Sequence, residues 1–336
     1  MKRNAYFDNG KLLLIFLVVF GHMIQPFTSE SNSIGTLYTF IYTFHMPAFI
    51  FLAGFFAKGS GTLQYIVRLA KQLLVPYLIF QLLYTGYYFL IGKNNWLTDH
   101  IFYPHWSLWF LVSLFCWHLL LIFYRKMPAY IGLAIALLMG IFIGYFDNVE
   151  HTFSLSRTFV FFPFFLLGYY VTMDHVRLLK RKAFKWGSIL ILVSFAIAIY
   201  YLPHINSGWL LASKSYTSLG LDYLGGLARL VVYSTSTLMV ASVLAWIPER
   251  KFSFTPLGER TLYVYLLHGF IIQYLREVDI LHVTNFFDII GIALLSAIIV
   301  YILSSRFMVT IWEPLIEIST VRLQRYLREL KHLLNA

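Results

Sequence analysis

The stretch LLLIFLVVFGHM, residues 12–23, decides the fold class of this chain. Its first nine residues are apolar enough to lie in hydrocarbon, yet Gly21 and His22 follow before the run reaches the roughly 20 residues that cross a bilayer core. An ionisable ring inside a membrane is costly, so it marks a candidate functional site. The stretch predicts a membrane-spanning helix that carries a functional histidine.

The composition of the whole chain supports the same class. Hydrophobic residues make up 59% of the 336 residues and charged residues 12%, and the mean hydropathy is +0.71. These values exclude an ordinary soluble globular protein. The single cysteine, Cys116, excludes an intrachain disulfide and a cysteine-based metal cluster. We therefore expect neither redox chemistry nor a metal site.

Ten segments have the length and the apolar character of membrane spans. Charged residues, proline, glycine and asparagine separate them, and they lie near residues 11–27, 37–57, 73–91, 107–123, 129–146, 157–173, 186–202, 228–247, 261–275 and 285–305. The predicted fold class is an all-α, polytopic membrane helical bundle of about ten transmembrane helices. The predicted transmembrane domain occupies residues 1–310.

The distribution of basic residues predicts that both termini are cytoplasmic. With ten spans, 21 of the 26 Lys and Arg fall on cytoplasmic segments, where such residues accumulate, and five fall outside: Lys93, Arg157, Lys214, Arg229 and Arg276. The net charge of +11 is thus a sign of topology and not of nucleic-acid binding. We expect a multi-pass protein of a cell membrane, the bacterial plasma membrane.

The C-terminal segment, residues 311–336, ends in TVRLQRYLRELKHLLNA. Its leucines and basic residues recur at helical spacing, which is typical of an amphipathic helix lying on a membrane surface. We therefore predict a cytoplasmic amphipathic helix that contacts membrane lipid. Nothing in the sequence decides whether the protein forms an oligomer.

Two histidines of neighbouring spans are expected at similar depth. At 1.5 Å per residue, His22 lies about 16 Å above the inner face and His45 about 12 Å below the outer face. Either ring has a purely structural alternative. His22 would then be a neutral ring bonded to a carbonyl or a tyrosine hydroxyl, and His45 would satisfy a backbone group freed by Pro47.

Six stretches, taken in order, resemble the membrane-bound acyltransferase 3 family and, within it, the fucose 4-O-acetylase-like branch. They are RNAYFDNGKLLLIFLVVFGHMIQPF, FHMPAFIFLAGFF, RLAKQLLVPYLIF, HWSLWFLVSLF, FFPFFLLGYY and GERTLYVYLLHGFII. The resemblance spans nearly the whole chain. It implies an integral membrane O-acyltransferase that moves an acyl group, usually acetyl from cytoplasmic acetyl-CoA, to a hydroxyl of an extracytoplasmic or lipid-linked glycan.

The resemblance also implies roles for particular residues. The family's essential histidine falls on His22, and imidazole suits the task because a sugar hydroxyl needs a base of near-neutral pKa as it attacks a thioester. We take His45 as a second catalytic candidate. The last of the six stretches, GERTLYVYLLHGFII, contains His268. On the predicted span 261–275 this residue lies about 10 Å from the inner face. There it would line the donor channel or orient the thioester.

The donor site is expected at the cytoplasmic end. The family's R-x-x-R pair falls on Arg68 and Lys71, and the lysine keeps the charge but loses a bidentate fork for phosphate. Arg3, Asp8 and Lys11 match the family's R…D..K preface, and the basic residues of both motifs would meet the phosphates of CoA. The alternative is topological, because juxtamembrane Lys and Arg are expected in any protein of this orientation.

The acceptor site is expected outside and aromatic, because sugar rings present apolar faces to such side chains. The segment YPHWSLWFL places His105, Trp106 and Trp109 at the outer end of the fourth span. Interfacial aromatic belts occur in all membrane proteins, so each of the three residues also has a structural explanation. A membrane transporter or exporter of a polysaccharide or small polar solute is the alternative function, although no repeated halves are visible.

Overall fold

The computed structural model describes residues 4–57, 59–93, 103–147, 154–202 and 205–317. Within these ranges the chain forms thirteen α-helices and no strand, which confirms the all-α class. The helices are α1 (Ala5–Ile24), α2 (Asn32–Phe56), α3 (Leu63–Leu90), α4 (Trp109–Tyr124), α5 (Ala129–Phe142), α6 (Leu155–Tyr170), α7 (Met173–Leu179), α8 (Lys182–Tyr201), α9 (Gly208–Leu211), α10 (Gly225–Trp246), α11 (Thr261–Val278), α12 (Phe286–Leu303) and α13 (Arg306–Ile316). Nine predicted spans each overlap one of these α-helices, and the span 157–173 overlaps α6 and the first residue of α7.

Six helices in the described part of the chain are long and apolar enough to cross a membrane. They are α1 with the 3₁₀ turn that follows it, α2, α3, α8, α10 and α12. A seventh span results if α6 and α7, which are bent by 101° at the break between them, count as one. The protein is a multi-pass membrane protein, while ten crossings and cytoplasmic termini stay predictions.

A close contact between two glycines joins α2 and α6. A Cβ atom on Gly54 would lie 1.9 Å from the carbonyl oxygen of Phe165, and one on Gly168 would lie 2.0 Å from that of Phe51. Small residues let helix backbones approach in this way. The two contacts seat each glycine directly against the backbone of the facing helix. Arg157 of α6 and Tyr42 and His45 of α2 line the same cavity.

The start of α1 is held by the connection between α10 and α11. The side-chain amide of Asn9 donates to the carbonyl oxygens of Pro248 and Arg250 at 2.9 and 3.0 Å. Its own oxygen accepts a 2.7 Å hydrogen bond from the hydroxyl of Thr255. These bonds to the backbone of the connection fix the first turns of α1, whose other end carries His22.

The last helix among the described residues is α13, which packs against α3 and α11. The rings of Trp312 and Phe80 lie 5.8 Å apart, and the hydroxyl of Tyr263 donates to Glu317 at 2.9 Å. The predicted boundary at residue 310 falls inside this helix. The segment 311–336 that was predicted as an amphipathic helix therefore begins within α13, and its residues from 318 onwards lie outside the described residues.

Candidate active site

Three histidines from different parts of the sequence approach one another inside the bundle. The ring of His22 on α1 lies 5.8 Å from that of His268 on α11 and 4.3 Å from that of Trp106. The third histidine is His45, and Tyr42 of α2 contacts both it and His22. The ring of Tyr42 lies 6.5 Å from that of His22 and 4.4 Å from that of His45. The structure thus brings together the two catalytic candidates, His22 and His45, and the donor-channel candidate His268.

The histidines border a cavity of about 130 Å³. Its lining is aromatic and polar and, among the described residues, includes one cation and no carboxylate. It consists of His22, Gln25, Tyr42, His45, Met46, Trp106, Ser107, Trp109, Arg157, Phe161, Leu210 and Leu211. Four residues predicted to be catalytic or to bind substrate, His22, His45, Trp106 and Trp109, therefore line one cavity.

His22 is the histidine with an accessible ring. It is partly exposed, whereas His45 and His268 are only 2% and 0% exposed. Its Nδ1 lies 3.5 Å from the hydroxyl of Tyr42, at the outer limit of a hydrogen bond. Gly21 makes this approach possible, because a Cβ there would lie 2.9 Å from the Tyr42 ring. His22 is thus the most exposed of the three histidines and lines the cavity.

The other two rings are anchored to backbone carbonyls one turn earlier. Nδ1 of His45 donates to the carbonyl of Ile41 and Nδ1 of His268 to that of Val264, both at 3.0 Å. The bond of His45 does not match the expected alternative, because Pro47 frees the carbonyl of Thr43 instead. The buried Nε2 of His268 has no hydrogen-bond partner among the described residues, and this ring stands behind the cavity wall.

The helix that carries His22 begins before the predicted span. α1 starts at Ala5, so His22 lies in its last turn, about 26 Å from the start of the helix, and its depth of about 16 Å above the inner face stays a prediction. Tyr42, however, lies ten residues inside the start of α2 and 14 residues before its end. The site is therefore recessed by about 15 Å from one end of α2 and about 21 Å from the other.

A strained segment before α4 carries Trp106. The φ angle of Trp106 is +40°, a left-handed conformation that costs a non-glycine residue on the order of 1–3 kcal/mol. Gln81 of α3 clamps this segment, since its amide donates to the carbonyl of Tyr103 at 2.8 Å and accepts from the backbone N–H of His105 at 3.0 Å. These two hydrogen bonds hold the segment in which Trp106 packs beside the ring of His22.

His105 lies beside this clamp and does not line the cavity. It is buried, and its Nε2 lies 2.8 Å from the hydroxyl of Thr85 on α3. Its ring also meets the edge of Tyr88 at 5.3 Å. His105 therefore helps to hold the segment that carries Trp106, and its contact with a substrate stays a prediction.

Two arginines that the sequence assigned only to the outer side reach the site. Arg157 lines the cavity, with its Nε donating to the carbonyl of Leu211 at 3.2 Å and its guanidinium 5.0 Å from the centre of the Trp109 ring. Arg276 of α11 donates to the carbonyl of His22 and, at 3.0 Å, to the side chain of Gln25. Sequence position gave no signal for either contact, because arginines near span ends are common.

The predicted donor residues lie at the end of the bundle where α1 and α3 begin. Arg68 and Lys71 are exposed on the first turns of α3, and Lys11 forms a 2.8 Å ion pair with the buried carboxylate of Asp8. Arg3 lies outside the described residues. Their contact with the phosphates of CoA stays a prediction, as does the absence of a metal, although no metal-binding group of three or more His, Cys, Asp or Glu occurs in the described ranges.

The fold and the site define a polytopic membrane protein whose helices enclose an aromatic cavity lined by histidines. The chain belongs to the acyltransferase 3 family, since residues 4–305 match its acyltransferase domain. The protein is therefore a membrane O-acyltransferase. Membership in this enzyme family decides against the transporter alternative.

The chain is also similar to two curated proteins. It is 24% identical over 329 residues to nodulation protein NolL of Mesorhizobium japonicum (strain LMG 29417 / CECT 9101 / MAFF 303099), covering 87% of this chain and 84% of that protein. It is 24% identical over 293 residues to nodulation protein NolL of Sinorhizobium fredii (strain NBRC 101917 / NGR234), covering 80% and 77%. No solved structure matches. The narrower fucose 4-O-acetylase-like branch stays a prediction.

Proposed function

We propose that this protein transfers an acetyl group from cytoplasmic acetyl-CoA to a hydroxyl of an extracytoplasmic or lipid-linked glycan, with His22 as the general base. The observation that carries the proposal is the partly exposed ring of His22 in a cavity walled by Trp106 and Trp109. Aromatic faces suit a sugar ring, and the imidazole suits its hydroxyl.

The size of the cavity favours a short acyl group. A volume of about 130 Å³ holds on the order of ten waters, whereas sites for drug-sized ligands usually measure about 300–1,000 Å³. An acetyl group and one hydroxyl-bearing carbon of a sugar fit that space, and a long acyl chain does not. This supports acetyl as the group transferred.

The position of the cavity suits two substrates that approach from opposite sides. His22 is level with the middle of α2, whose ends are about 15 and 21 Å away. The pantetheine arm would rise from the end that carries Arg68, Lys71 and Lys11, and the acceptor would enter from the other end. His268, 5.8 Å from His22, would then border the path of the thioester.

The test follows label from the donor to the acceptor. Membranes that contain the protein are incubated with acetyl-labelled CoA, and the label in the glycan fraction is measured for the wild type and for His22→Gln. We expect His22→Gln to abolish transfer or lower it by about 10²–10⁴-fold, the usual contribution of a general base.

A second membrane histidine provides the matched control. His118 of α4 lies 2.9 Å from the hydroxyl of Tyr65 and does not line the cavity. His118→Gln should therefore transfer label at the wild-type rate when the two variants are compared at equal protein level. Wild-type membranes that move no label to glycan, or a fully active His22→Gln variant, would refute the proposal.

A further inference from the structure

The cation in the cavity wall has no anionic partner in the described part of the structure. Arg157 uses its Nε to donate to the carbonyl of Leu211, and its terminal nitrogens make no hydrogen bond or ion pair with a described residue. A guanidinium held inside a membrane bundle is costly unless an opposite charge compensates it. A molecule in the cavity is the natural source of that charge.

Two contacts hold the guanidinium in a fixed position. The bond to Leu211 fixes one edge, and the Trp109 ring lies under its face at 5.0 Å. Trp109 is itself stacked on Phe161 at 5.6 Å. A charge that is oriented before the reaction stabilises a transition state without the cost of reorganisation.

Arg276, the other arginine near His22, is engaged elsewhere. It donates to the carbonyl of His22 and to Gln25, its guanidinium lies 5.7 Å from the centre of the Trp106 ring, and it is not part of the cavity lining. Arg276 is thus a positioning residue, and Arg157 is the cation that faces the reacting groups.

We propose that Arg157 stabilises the oxyanion that forms when the acceptor hydroxyl attacks the thioester. This inference rests on the proposed function. His22 takes the hydroxyl proton as the alcohol oxygen bonds to the carbonyl carbon, and the electron pair of the C=O bond moves to its oxygen, beside Arg157. As this pair returns, the bond between carbon and sulfur breaks, and the thiolate of CoA takes the proton from His22.

The role predicts a change in kcat and not in KM. The negative charge on the carbonyl oxygen is small in the bound thioester and full in the tetrahedral intermediate, so only the transition state loses stabilisation when the cation is removed. In the labelled transfer assay, Arg157→Gln should lower kcat by about 10²–10³-fold. Its KM for acetyl-CoA should stay within about threefold of the wild-type value.

Two further variants separate charge from structure. Arg157→Lys keeps a cation but not the guanidinium fork. Its kcat should therefore be at least about tenfold higher than that of Arg157→Gln. Ser156→Ala removes the neighbouring 2.9 Å hydrogen bond from α6 to the carbonyl of Ala212 and leaves Arg157 in place, so it should keep the wild-type kcat.

The outcomes separate this inference from the proposed function. If the wild type transfers no acetyl label, the proposed function fails and the inference falls with it. If the wild type and His118→Gln are active, three results overturn the role of Arg157 alone. These are an unchanged kcat in Arg157→Gln, a loss confined to the KM of either substrate, and an equal loss of kcat in Ser156→Ala.

Discussion

Replacement of Gly269 by alanine tests whether the packing between α11 and the Trp106 segment positions the site. Gly269 follows His268, and a Cβ there would lie 2.3 Å from the hydroxyl of Tyr84 and 2.7 Å from Cζ3 of Trp106. Ordinary carbon contacts measure about 3.5 Å or more, so the hydroxyl must move by about 1.2 Å and the ring by about 0.8 Å.

The cost to stability follows from these displacements. Overpacking a well-packed interior costs about 1–3 kcal/mol. The hydroxyl of Tyr84 donates to the buried carbonyl of Leu266 at 2.9 Å, and loss of that bond costs about 1–3 kcal/mol more. Alanine is better than glycine in a helix by about 1 kcal/mol. We expect Gly269→Ala to lower the free energy of unfolding by about 1–5 kcal/mol.

The effect on activity is larger than the loss of folded protein. The Trp106 ring lies 4.3 Å from His22, and a misplacement near 1 Å at a reacting centre costs on the order of 100-fold in rate. The assay is acetyl transfer per folded protein, together with thermal unfolding of the purified protein in detergent. Both the rate and the unfolding temperature should fall.

Gly291 of α12 provides the matched control for this substitution. A Cβ at that position meets nothing within 4 Å. Gly291→Ala should therefore keep the wild-type rate and raise stability by up to about 1 kcal/mol, the helix-propensity difference. A Gly269→Ala variant that matches the wild type in both rate and unfolding temperature would refute the reasoning.

Two further substitutions test how the site is held. Arg276→Gln removes the guanidinium that donates to the carbonyl of His22 and faces Trp106. Transfer should therefore fall by about 10-fold or more while the KM for acetyl-CoA stays unchanged. An unaltered rate would contradict a positioning role. Gln81→Ala removes both hydrogen bonds to the segment 103–105. It should lower the free energy of unfolding, measured in detergent, by about 1–3 kcal/mol. A stability equal to that of the wild type would show that these bonds do not hold the segment.

The sequence predicted His22, His45 and His268 as candidates for different reasons. His22 and His45 stood out as ionisable side chains inside apolar runs, which is a local property of about 20 residues. His268 stood out through a motif and was expected to line the donor channel or orient the thioester, and its ring lies 5.8 Å from that of His22. The resemblance named the residue, and only the packing of α11 against α1 showed its neighbour.

Three polar residues of the site could not be selected from the sequence. Arg157 and Arg276 look like the basic residues that are frequent near the ends of spans, and Gln81 is an uncharged polar residue inside α3. Their roles depend on particular contacts: Gln81 with the Trp106 segment, and Arg276 with a carbonyl 254 residues earlier in the chain. Helix crossings decide contacts of this range, and no local pattern records them.

The sequence alone was enough to predict the all-α membrane class and a candidate functional histidine, because hydrophobicity and the cost of an ionisable ring in lipid act within single segments. Only the packing of the helices showed which polar side chains meet that histidine and how large the space beside it is. The packing of α2 against α6 brings Arg157 to the same cavity as Tyr42 and His45. A cavity exists only where several helices leave space between them, so no single helix encodes it.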